Sequence, residues 1–211
     1  VAYDHIKLSE GLLNKAADIE CLCFGTLIQR APESRQTVQA LIDVAKNAVK
    51  FLDINLRKNC FSKESVIYSL QKANILKLND DEVEQLRHLL GLSFNSYPGF
   101  CQRIIQEFEL DYVILTFGEY GALAQSVFGE EVYVPGYKIE SADSVGSGDA
   151  FSAAFIHNIL SGHSITRSCK HGNALGALTA ATHGATAPIS QQQISELLRS
   201  STARIKHPQF S

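Results

Sequence analysis

Apolar residues recur along this chain with two different spacings, and stretches of the two kinds alternate. Short apolar runs predict strands over residues 19–25, 49–54, 73–78 and 112–117. Apolar positions three or four residues apart predict helices over residues 34–49, 62–70, 79–90, 98–108, 147–160 and 164–182. Residues 121–134 are typical of a hairpin that turns at Gly129, and residues 203–211 are predicted to form a loose tail. The alternation favours the α/β class, with a mostly parallel sheet covered by helices on both faces.

Capping residues mark the beginnings of several predicted helices. Asn79 is followed three residues later by Glu82, and Ser190 by Gln193, in the spacing of a reciprocal capping box. The second pair predicts a last helix after Ser190. Pro98 stands where a helix tolerates proline, in its first turn.

Composition and charge narrow the class of protein. The 211 residues are 45% hydrophobic and 19% charged, which is too apolar for a disordered chain, and the length suits one domain over residues 1–211. The net charge is −3 and Lys and Arg do not cluster, so nucleic acid is not an expected partner. No apolar run reaches the length of a membrane span, and the first residues do not resemble a signal peptide.

The five cysteines are an odd number in a chain of this length, which favours a reducing compartment and hence a cytoplasmic location. Cys21 and Cys23 are two residues apart in an apolar run, so on a strand their side chains face the same side. A metal-binding pair is one interpretation, but no partner pair with ligand spacing is present. We therefore predict buried thiols in a core strand.

The segment with the most chemical content is residues 143–151, Asp-Ser-Val-Gly-Ser-Gly-Asp-Ala-Phe. Gly146 and Gly148 flank Ser147 and allow a tight turn that exposes successive backbone N–H groups at the beginning of a helix. Asp149 follows in the first helical turn, placed to accept a proton from a hydroxyl while those N–H groups hold a phosphoryl group. An acidic residue is also favoured there for structural reasons alone, and the pattern leaves both interpretations open. The Gly-Lys-Ser/Thr ending of a Walker loop is absent.

Residues 143–151 resemble the C-terminal signature of the ribokinase-like, or PfkB, family of sugar and nucleoside kinases, which usually reads Asp-Thr-x-Gly-Ala-Gly-Asp. Ser144 and Ser147 stand where that signature has Thr and Ala. Further segments resemble the family in the same order along the chain, at residues 79–82, 115–122, 171–174 and 184–185. Residues 24–30 and 53–57 are most similar to fructokinases. The resemblance implies a three-layer αβα, Rossmann-like fold with a mostly parallel central sheet.

The resemblance also implies roles for individual residues. Asp149 corresponds to the catalytic base, and the anion hole around the transferred phosphate corresponds to Gly146, Ser147 and Gly148. A role in binding ATP is implied for Thr116, Gly118, Gly121, Asn173 and Gly184. Arg30 and Arg57 are candidates for contacts with phosphate or sugar, and a surface ion pair is the alternative for each.

Two metal sites are implied as well. Asn79 and Glu82 correspond to residues that organise Mg²⁺ through its waters, and the same pair can cap a helix at the same time. A monovalent cation, K⁺ in many members, corresponds to a set of side-chain and backbone oxygens on Asp143, Val145, Thr179, Thr182 and Gly184. The expected small molecules are therefore ATP and Mg²⁺, with K⁺ as a further candidate.

The family's N-terminal part carries a Gly-Gly signature, most sugar-contacting residues and a small lid sheet, and none of these has a counterpart in this sequence. The chain is therefore interpreted as the ATP-binding, catalytic C-terminal part, and a homodimer through the lid stays open. The expected function is that of an ATP-dependent phosphotransferase with an alcohol acceptor, most like a fructokinase that makes fructose 6-phosphate. Ribose, 2-keto-3-deoxygluconate and nucleosides are alternative acceptors, and a non-catalytic sugar- or nucleotide-binding relative is the alternative function.

Overall fold

A computed structural model of the chain describes residues 1–210. Six strands form one sheet in which each strand neighbours the next along the chain: β1 Cys21–Phe24, β2 Val49–Asp53, β3 Ile75–Asn79, β4 Tyr112–Thr116, β5 Ala122–Ser126 and β6 Glu131–Val134. β1 pairs with β2 and β2 with β3 in parallel, whereas β5 and β6 are antiparallel. The predicted α/β class with a mostly parallel sheet is confirmed.

The helices of the described residues are α1 Glu10–Ala17, α2 Pro32–Val44, α3 Lys63–Lys72, α4 Asp80–Leu90, α5 Tyr97–Phe108, α6 Ser147–Leu160, α7 Ile165–Ala180 and α8 Gln191–Arg199. Each helix that the sequence predicts is present. The pattern did not predict α1, which Ser9 caps but which buries little beyond Ala16. Within residues 1–210, none of the helices combines the length and apolar character that crossing a membrane requires.

The helix predicted over residues 34–49 ends earlier, at Val44, because the residues that follow serve the sheet. Val49 begins β2 opposite Cys21 of β1, and its N–H donates to the carbonyl of Glu20 at 2.9 Å. Ala45 and Ala48 are buried in the connection. In the sequence, the apolar residues after Val44 continue the helical spacing. In the structure, they belong to a turn and to β2.

The chain divides into two compact units, Val1–Ile114 and Leu115–Ser211. In the first unit, strands and helices alike contribute large side chains that are fully buried, among them Phe51, Leu52, Leu76, Leu86 and Phe100. The carboxyl ends of β2 and β3, at Asp53 and Asn79, are half-buried and polar. This edge of the sheet holds the first unit's polar network.

In the second unit, α6 packs closely on α7. A Cβ at Gly172 would meet the ring of Phe151, and one at Gly176 would come within 3.1 Å of the Ser147 carbonyl oxygen. The predicted hairpin is confirmed, with β5 and β6 joined by a turn in which Gly129 has a φ of +83°. The tight contact between the helices places the beginning of α6 beside the last turns of α7.

The prediction of a loose tail is wrong for residues 203–210, and Ser211 lies outside the described residues. A short strand β7, Gly136–Tyr137, pairs with β8, Arg204–Ile205, in a second, antiparallel sheet. The Arg204 guanidinium lies over the Tyr137 ring, 3.4 Å from its centroid. This segment was missed because two-residue strands and stacked aromatic rings leave no periodic pattern in the sequence.

The prediction of buried thiols at Cys21 and Cys23 is also wrong. Cys21 is half-buried and Cys23 is exposed. Their side chains do face the same side of β1, as expected, with the two sulfurs 4.0 Å apart. β1 is the first strand in the sheet order and has β2 as its neighbour, so an apolar run there is less enclosed than in a central strand.

Candidate active site

The beginning of α6 is shaped by Gly146, which occupies the position before the first helical residue with a φ of +83°. A Cβ at this position would lie 2.7 Å from the Cβ of Ala185, so both the backbone conformation and the space require glycine. The Gly146 carbonyl accepts the first helical hydrogen bond, from the Ala150 N–H at 2.9 Å. The predicted turn is therefore present at Gly146, whereas Gly148 already lies within α6 and does not form part of the turn.

The loop before α6 is held by its own polar groups. The Asp143 carboxylate accepts a hydrogen bond from the Val145 N–H at 3.0 Å, and the Ser147 hydroxyl donates to the Ser144 carbonyl at 2.8 Å. The N–H groups of Ala142 and Asp143 both donate to the carbonyl of Ala180, at the end of α7. These contacts join the loop to the end of α7.

Asp149 lies in the first turn of α6, and its side chain is exposed. The first N–H groups of a helix have no acceptor within the helix, and the helix dipole adds partial positive charge at the same end. An exposed carboxylate therefore stands directly beside a group of donors that favours an anion. Gly146, Ser147, Gly148 and Asp149 are consecutive at this helix beginning, and their roles toward a phosphate stay a prediction from the resemblance.

Thr116, Gly118 and Gly121 lie at the end of β4 and in the turn after it. Gly118 and Gly121 have φ values of +54° and +94°. A Cβ at Gly121 would overlap the backbone of Val134 and Gly136. The close packing at Gly121 therefore requires glycine in this turn. The turn keeps the backbone close to the end of β4.

Asn173 is 8% exposed and braces α7 against the end of β6. Its side-chain NH₂ donates to the carbonyl of Val134 at 2.8 Å. This contact gives the buried amide a structural role. It uses the side-chain nitrogen that would otherwise donate to an acceptor atom of a bound nucleotide. A role for Asn173 toward adenine remains a prediction from the resemblance.

The candidate monovalent-cation residues gather at the end of α7, but their oxygens are not all available. The carbonyl of Thr179 accepts hydrogen bonds from both the N–H and the hydroxyl of Thr182, at 3.1 and 2.9 Å. Since a carbonyl oxygen has two lone pairs, both are in use. Asp143 already accepts from Val145. The Thr179 carbonyl is thus fully engaged, whereas the Asp143 carboxylate keeps further lone pairs, and a K⁺ site formed by this set, which also includes Gly184, stays a prediction from the resemblance.

In the first unit, Asn79 and Glu82 form the predicted capping box at the beginning of α4. The Asn79 side chain accepts from the Glu82 N–H at 2.8 Å, and the Glu82 carboxylate accepts from the Asn79 N–H at 2.9 Å. The second carboxylate oxygen of Glu82 accepts from the Leu56 N–H at 2.9 Å. Glu82 therefore joins the start of α4 to the loop after β2, a contact that the local sequence does not reveal.

Glu82 is 6% exposed, and this burial raises the pKa of its carboxyl although two backbone N–H groups oppose the shift. Each carboxylate oxygen keeps a further lone pair, so the group can still accept a hydrogen bond from a metal-bound water. No group of three His, Cys, Asp or Glu residues suited to a metal ion occurs within the described residues 1–210. The residues thus fit Mg²⁺ only through its waters, as a hydrated ion.

A largely buried ion pair that the sequence did not reveal lies near Glu82. Lys77 of β3 is 8% exposed, and its ammonium donates to both carboxylate oxygens of Asp53 on β2, at 3.0 and 3.1 Å. The available signal was a lysine in the middle of a strongly apolar strand, which is unfavourable unless the charge has a partner.

The two candidate arginines lie in the first unit and differ in their surroundings. Arg30 donates from Nε and Nη2 to the carboxylate of Asp4, at 2.7 and 2.6 Å, and its guanidinium lies 5.0 Å from the Tyr3 ring centroid. The contact with Asp4 also keeps the pKa of that carboxyl well below its usual range. Arg57 is exposed and donates to the side chain of Asn55 at 3.2 Å. Arg30 thus has the surface ion pair that was its alternative, and Arg57 presents a less engaged guanidinium.

A mostly parallel sheet with a glycine-rich helix start and an exposed carboxylate defines an α/β protein equipped to bind an anion. Comparison with known proteins identifies the family within this class. The family model described as pfkB family carbohydrate kinase matches residues 9–192. The chain belongs to this family.

The relatives agree with that assignment. The chain is 26% identical over 178 residues to a 2-dehydro-3-deoxygalactonokinase of Haloferax volcanii, over 81% of this chain and 54% of that protein. It is 25% identical over 166 residues to a 5-dehydro-2-deoxygluconokinase of Clostridium beijerinckii, over 75% of this chain and 48% of that protein. The chain spans about half the length of the curated relatives it matches.

A solved structure shows the same fold. The fructokinase of Vibrio cholerae O395, in a form with fructose, ADP and calcium ion bound, matches with a TM-score of 0.76 at 23% identity. The match covers 92% of this chain and 65% of that chain. The ribokinase-like α/β fold that the sequence implied is therefore confirmed for this chain.

Proposed function

We propose that this chain carries the nucleotide-binding and phosphoryl-transfer part of an ATP-dependent sugar kinase. One observation supports this most: Asp149 stands exposed in the first turn of α6, three residues after the left-handed Gly146, at a helix beginning that no side chain caps. A base and an anion site within one helical turn are what transfer of a phosphoryl group to a hydroxyl needs.

In the proposed reaction, the Asp149 carboxylate accepts the proton of the acceptor hydroxyl. The oxygen of that hydroxyl forms a bond to the γ-phosphorus of ATP while the bond to the β,γ-bridging oxygen breaks, and ADP leaves. The N–H groups at the beginning of α6 stabilise the negative charge on the transferred phosphoryl oxygens. The hydrogen bonds of the loop before α6 would help to hold those donors in place.

Magnesium, when bound with ATP, would neutralise charge on the β- and γ-phosphates. Glu82 and Asn79 are the residues of this chain proposed to orient its waters. Glu82 brings a buried carboxylate for this purpose, already oriented by the N–H groups of Leu56 and Asn79.

Fructose is the acceptor that we propose first, because residues 24–30 and 53–57 resemble fructokinases and the chain shares the fold of a fructokinase. The names of the curated relatives favour a second candidate, a dehydro-deoxy sugar acid. Arg57, exposed on the loop after β2, would suit the carboxylate of such an acid. Comparing turnover of fructose with turnover of the sugar acid distinguishes the two candidates.

The test uses the natural full-length protein, because most sugar contacts are expected in the family's N-terminal part, and measures ADP release with fructose, 2-keto-3-deoxygluconate, ribose and a nucleoside as acceptors. Asp149→Asn is compared with Glu10→Gln, which also removes an exposed acidic group from the first turn of a helix. We expect a loss of about 10²–10⁴-fold in turnover for Asp149→Asn, with ATP still bound, and none for Glu10→Gln. Equal turnover of Asp149→Asn and wild type would refute the assigned base. ATP binding without turnover of any acceptor would support the non-catalytic alternative.

A further inference from the structure

The turn that follows β4, residues 117–121, is held by contacts from outside it. The Tyr133 hydroxyl, on β6, donates a hydrogen bond to the carbonyl of Tyr120. A Cβ at Gly136, in β7, would overlap the carbonyl oxygen of Glu119. The turn is therefore packed against β6 and β7 as well as joined to β4.

A segment far along the chain, residues 203–210, reaches the same turn and is called the strap below. The backbone N–H of His207 donates to the Tyr133 hydroxyl at 2.7 Å, so this one hydroxyl links the strap to Tyr120. The centroid of the His207 ring lies 4.5 Å from that of Phe117 and 5.7 Å from that of Tyr120. The strap thus contacts the turn near its beginning and near its end.

The strap is itself anchored in the second unit. Its strand β8 pairs with β7, and the Lys138 N–H donates to the carbonyl of Ala203 at 2.8 Å. Farther on, the ring of Phe210 stacks on that of Tyr133, with centroids 4.2 Å apart. The strap follows residue 192, at which the family match ends. It is therefore an ordered addition to the part of the chain that the family model describes.

The turn is a piece of backbone that benefits from being held. Gly118 and Gly121 both have positive φ values, and glycine has more conformational freedom to lose than any other residue. Gly118 and Glu119 are exposed, so the turn presents backbone to the surroundings. Fixing such a turn beforehand strengthens binding to it, because less conformational freedom is then lost when the ligand binds.

We propose that Tyr133 and His207 are positioning residues for nucleotide binding, through which the strap holds residues 117–121 in the conformation that ATP requires. This inference rests on the proposed function, in which the turn contacts ATP. Because the strap acts on the turn and not on the beginning of α6, it should govern the affinity for ATP and leave proton transfer to Asp149 unchanged.

The test uses the natural full-length protein and measures the Kd of ATP with Mg²⁺ by calorimetry and kcat by ADP release. Tyr133→Phe keeps the ring that stacks on Phe210 and removes only the bridging hydroxyl. We expect ATP to bind about 3–10-fold more weakly, with kcat changed by less than about 2-fold, because hydrogen bonds to the turn are lost and the base is untouched. His207→Ala, which removes the ring that lies against Phe117, should also raise the Kd.

Tyr68→Phe is the matched control. The Tyr68 hydroxyl, on α3, is buried and has no hydrogen-bond partner within the described residues, so its removal should change neither Kd nor kcat. Each variant is assayed at a temperature where circular dichroism shows it fully folded, so that a purely structural loss leaves the Kd unaltered. Amide hydrogen exchange of residues 118–121 without nucleotide should be faster in Tyr133→Phe than in wild type or Tyr68→Phe.

The possible failures are distinguishable. A Kd for ATP that is the same in wild type, Tyr133→Phe and His207→Ala would overturn the positioning role and leave the kinase proposal standing. A fall in kcat as large as the fall in affinity, or an equal loss of affinity in Tyr68→Phe, would show a general disturbance and would also overturn it. A wild-type protein that binds no ATP would refute the proposed function, and this inference with it.

Discussion

The ring of Phe210 stacks on the ring of Tyr133, with centroids 4.2 Å apart and planes inclined by 18°. The Tyr133 hydroxyl accepts a hydrogen bond from the His207 N–H at 2.7 Å and donates to the carbonyl of Tyr120. His207 in turn lies against Phe117, with ring centroids 4.5 Å apart. The half-buried rings of His207 and Phe210 therefore pack against the rest of the second unit around the turn that follows β4.

Replacing Phe210 with Ala should lower the free energy of unfolding by about 1–2 kcal/mol, because a stacked and half-buried aromatic ring is lost. Urea unfolding followed by circular dichroism measures the change. Phe128→Ala is the control, since Phe128 is 83% exposed at the tip of the hairpin, and it should change stability by less than about 0.5 kcal/mol. Equal effects of the two substitutions would mean that the stack contributes nothing.

Comparing Gly146 with Gly162 separates two effects of adding a Cβ: strain of the backbone and contact with neighbouring atoms. Gly146 and Gly162 have φ values of +83° and +75°, but a Cβ at Gly162 would meet nothing within 4 Å, whereas one at Gly146 would meet Ala185. Gly162→Ala should cost about 1–2 kcal/mol from backbone strain and leave nucleotide affinity unchanged. Gly146→Ala should cost more and weaken binding of ATP, measured by calorimetry. Equal affinity of both variants for ATP would contradict an anion site at the beginning of α6.

The stability of the first unit should depend on pH through Glu82. Burial raises the pKa of Glu82, so the folded chain holds this proton at pH values where the unfolded chain has lost it. Stability from this group is therefore present below about pH 4.3, the ordinary pKa of Glu, and is lost as the pH rises through the raised value. Urea unfolding of wild type from pH 4 to 8 should show this decline relative to Glu82→Gln.

Glu82→Gln serves as the reference because Gln does not titrate. The variant also shows the effect of losing one of the two acceptor oxygens. Gln has one acceptor oxygen, so one of the two N–H groups of Leu56 and Asn79 loses its partner, at a cost of about 1–3 kcal/mol. The stability deficit of the variant should thus be largest at low pH and shrink as the pH rises. A deficit that grows with pH would contradict the raised pKa.

The ion pair between Lys77 and Asp53 should be strongly coupled. The side chain of Lys77 is 10% exposed and that of Asp53 24%, so Asp53→Asn leaves the more buried charge without that carboxylate. We expect a loss of about 3 kcal/mol for Asp53→Asn, a smaller loss for Lys77→Met, and a double variant more stable than the sum predicts. A double-mutant cycle in urea measures this, and strictly additive losses would show that the pair does not interact.

The sequence by itself determined the features that depend on neighbouring residues. The span of α6 follows from its small and apolar residues and from the glycines before it, and the capping box of Asn79 and Glu82 follows from spacing alone. The turn at Gly129 and the position of Asp149 in a first helical turn follow in the same way. Each is a matter of backbone conformation and hydrogen bonds over a few residues, which a local pattern records.

Only the tertiary structure decided which distant groups meet. The contact of Glu82 with Leu56, the pairing of Lys77 with Asp53, the docking of Phe210 on Tyr133 and the exposure of Cys23 all join or separate residues that the local pattern treats independently. Burial and partnership of a polar group depend on strand order and on packing across the chain. For that reason, the contribution of these residues to stability depends on the assembled sheet and does not follow from the local sequence.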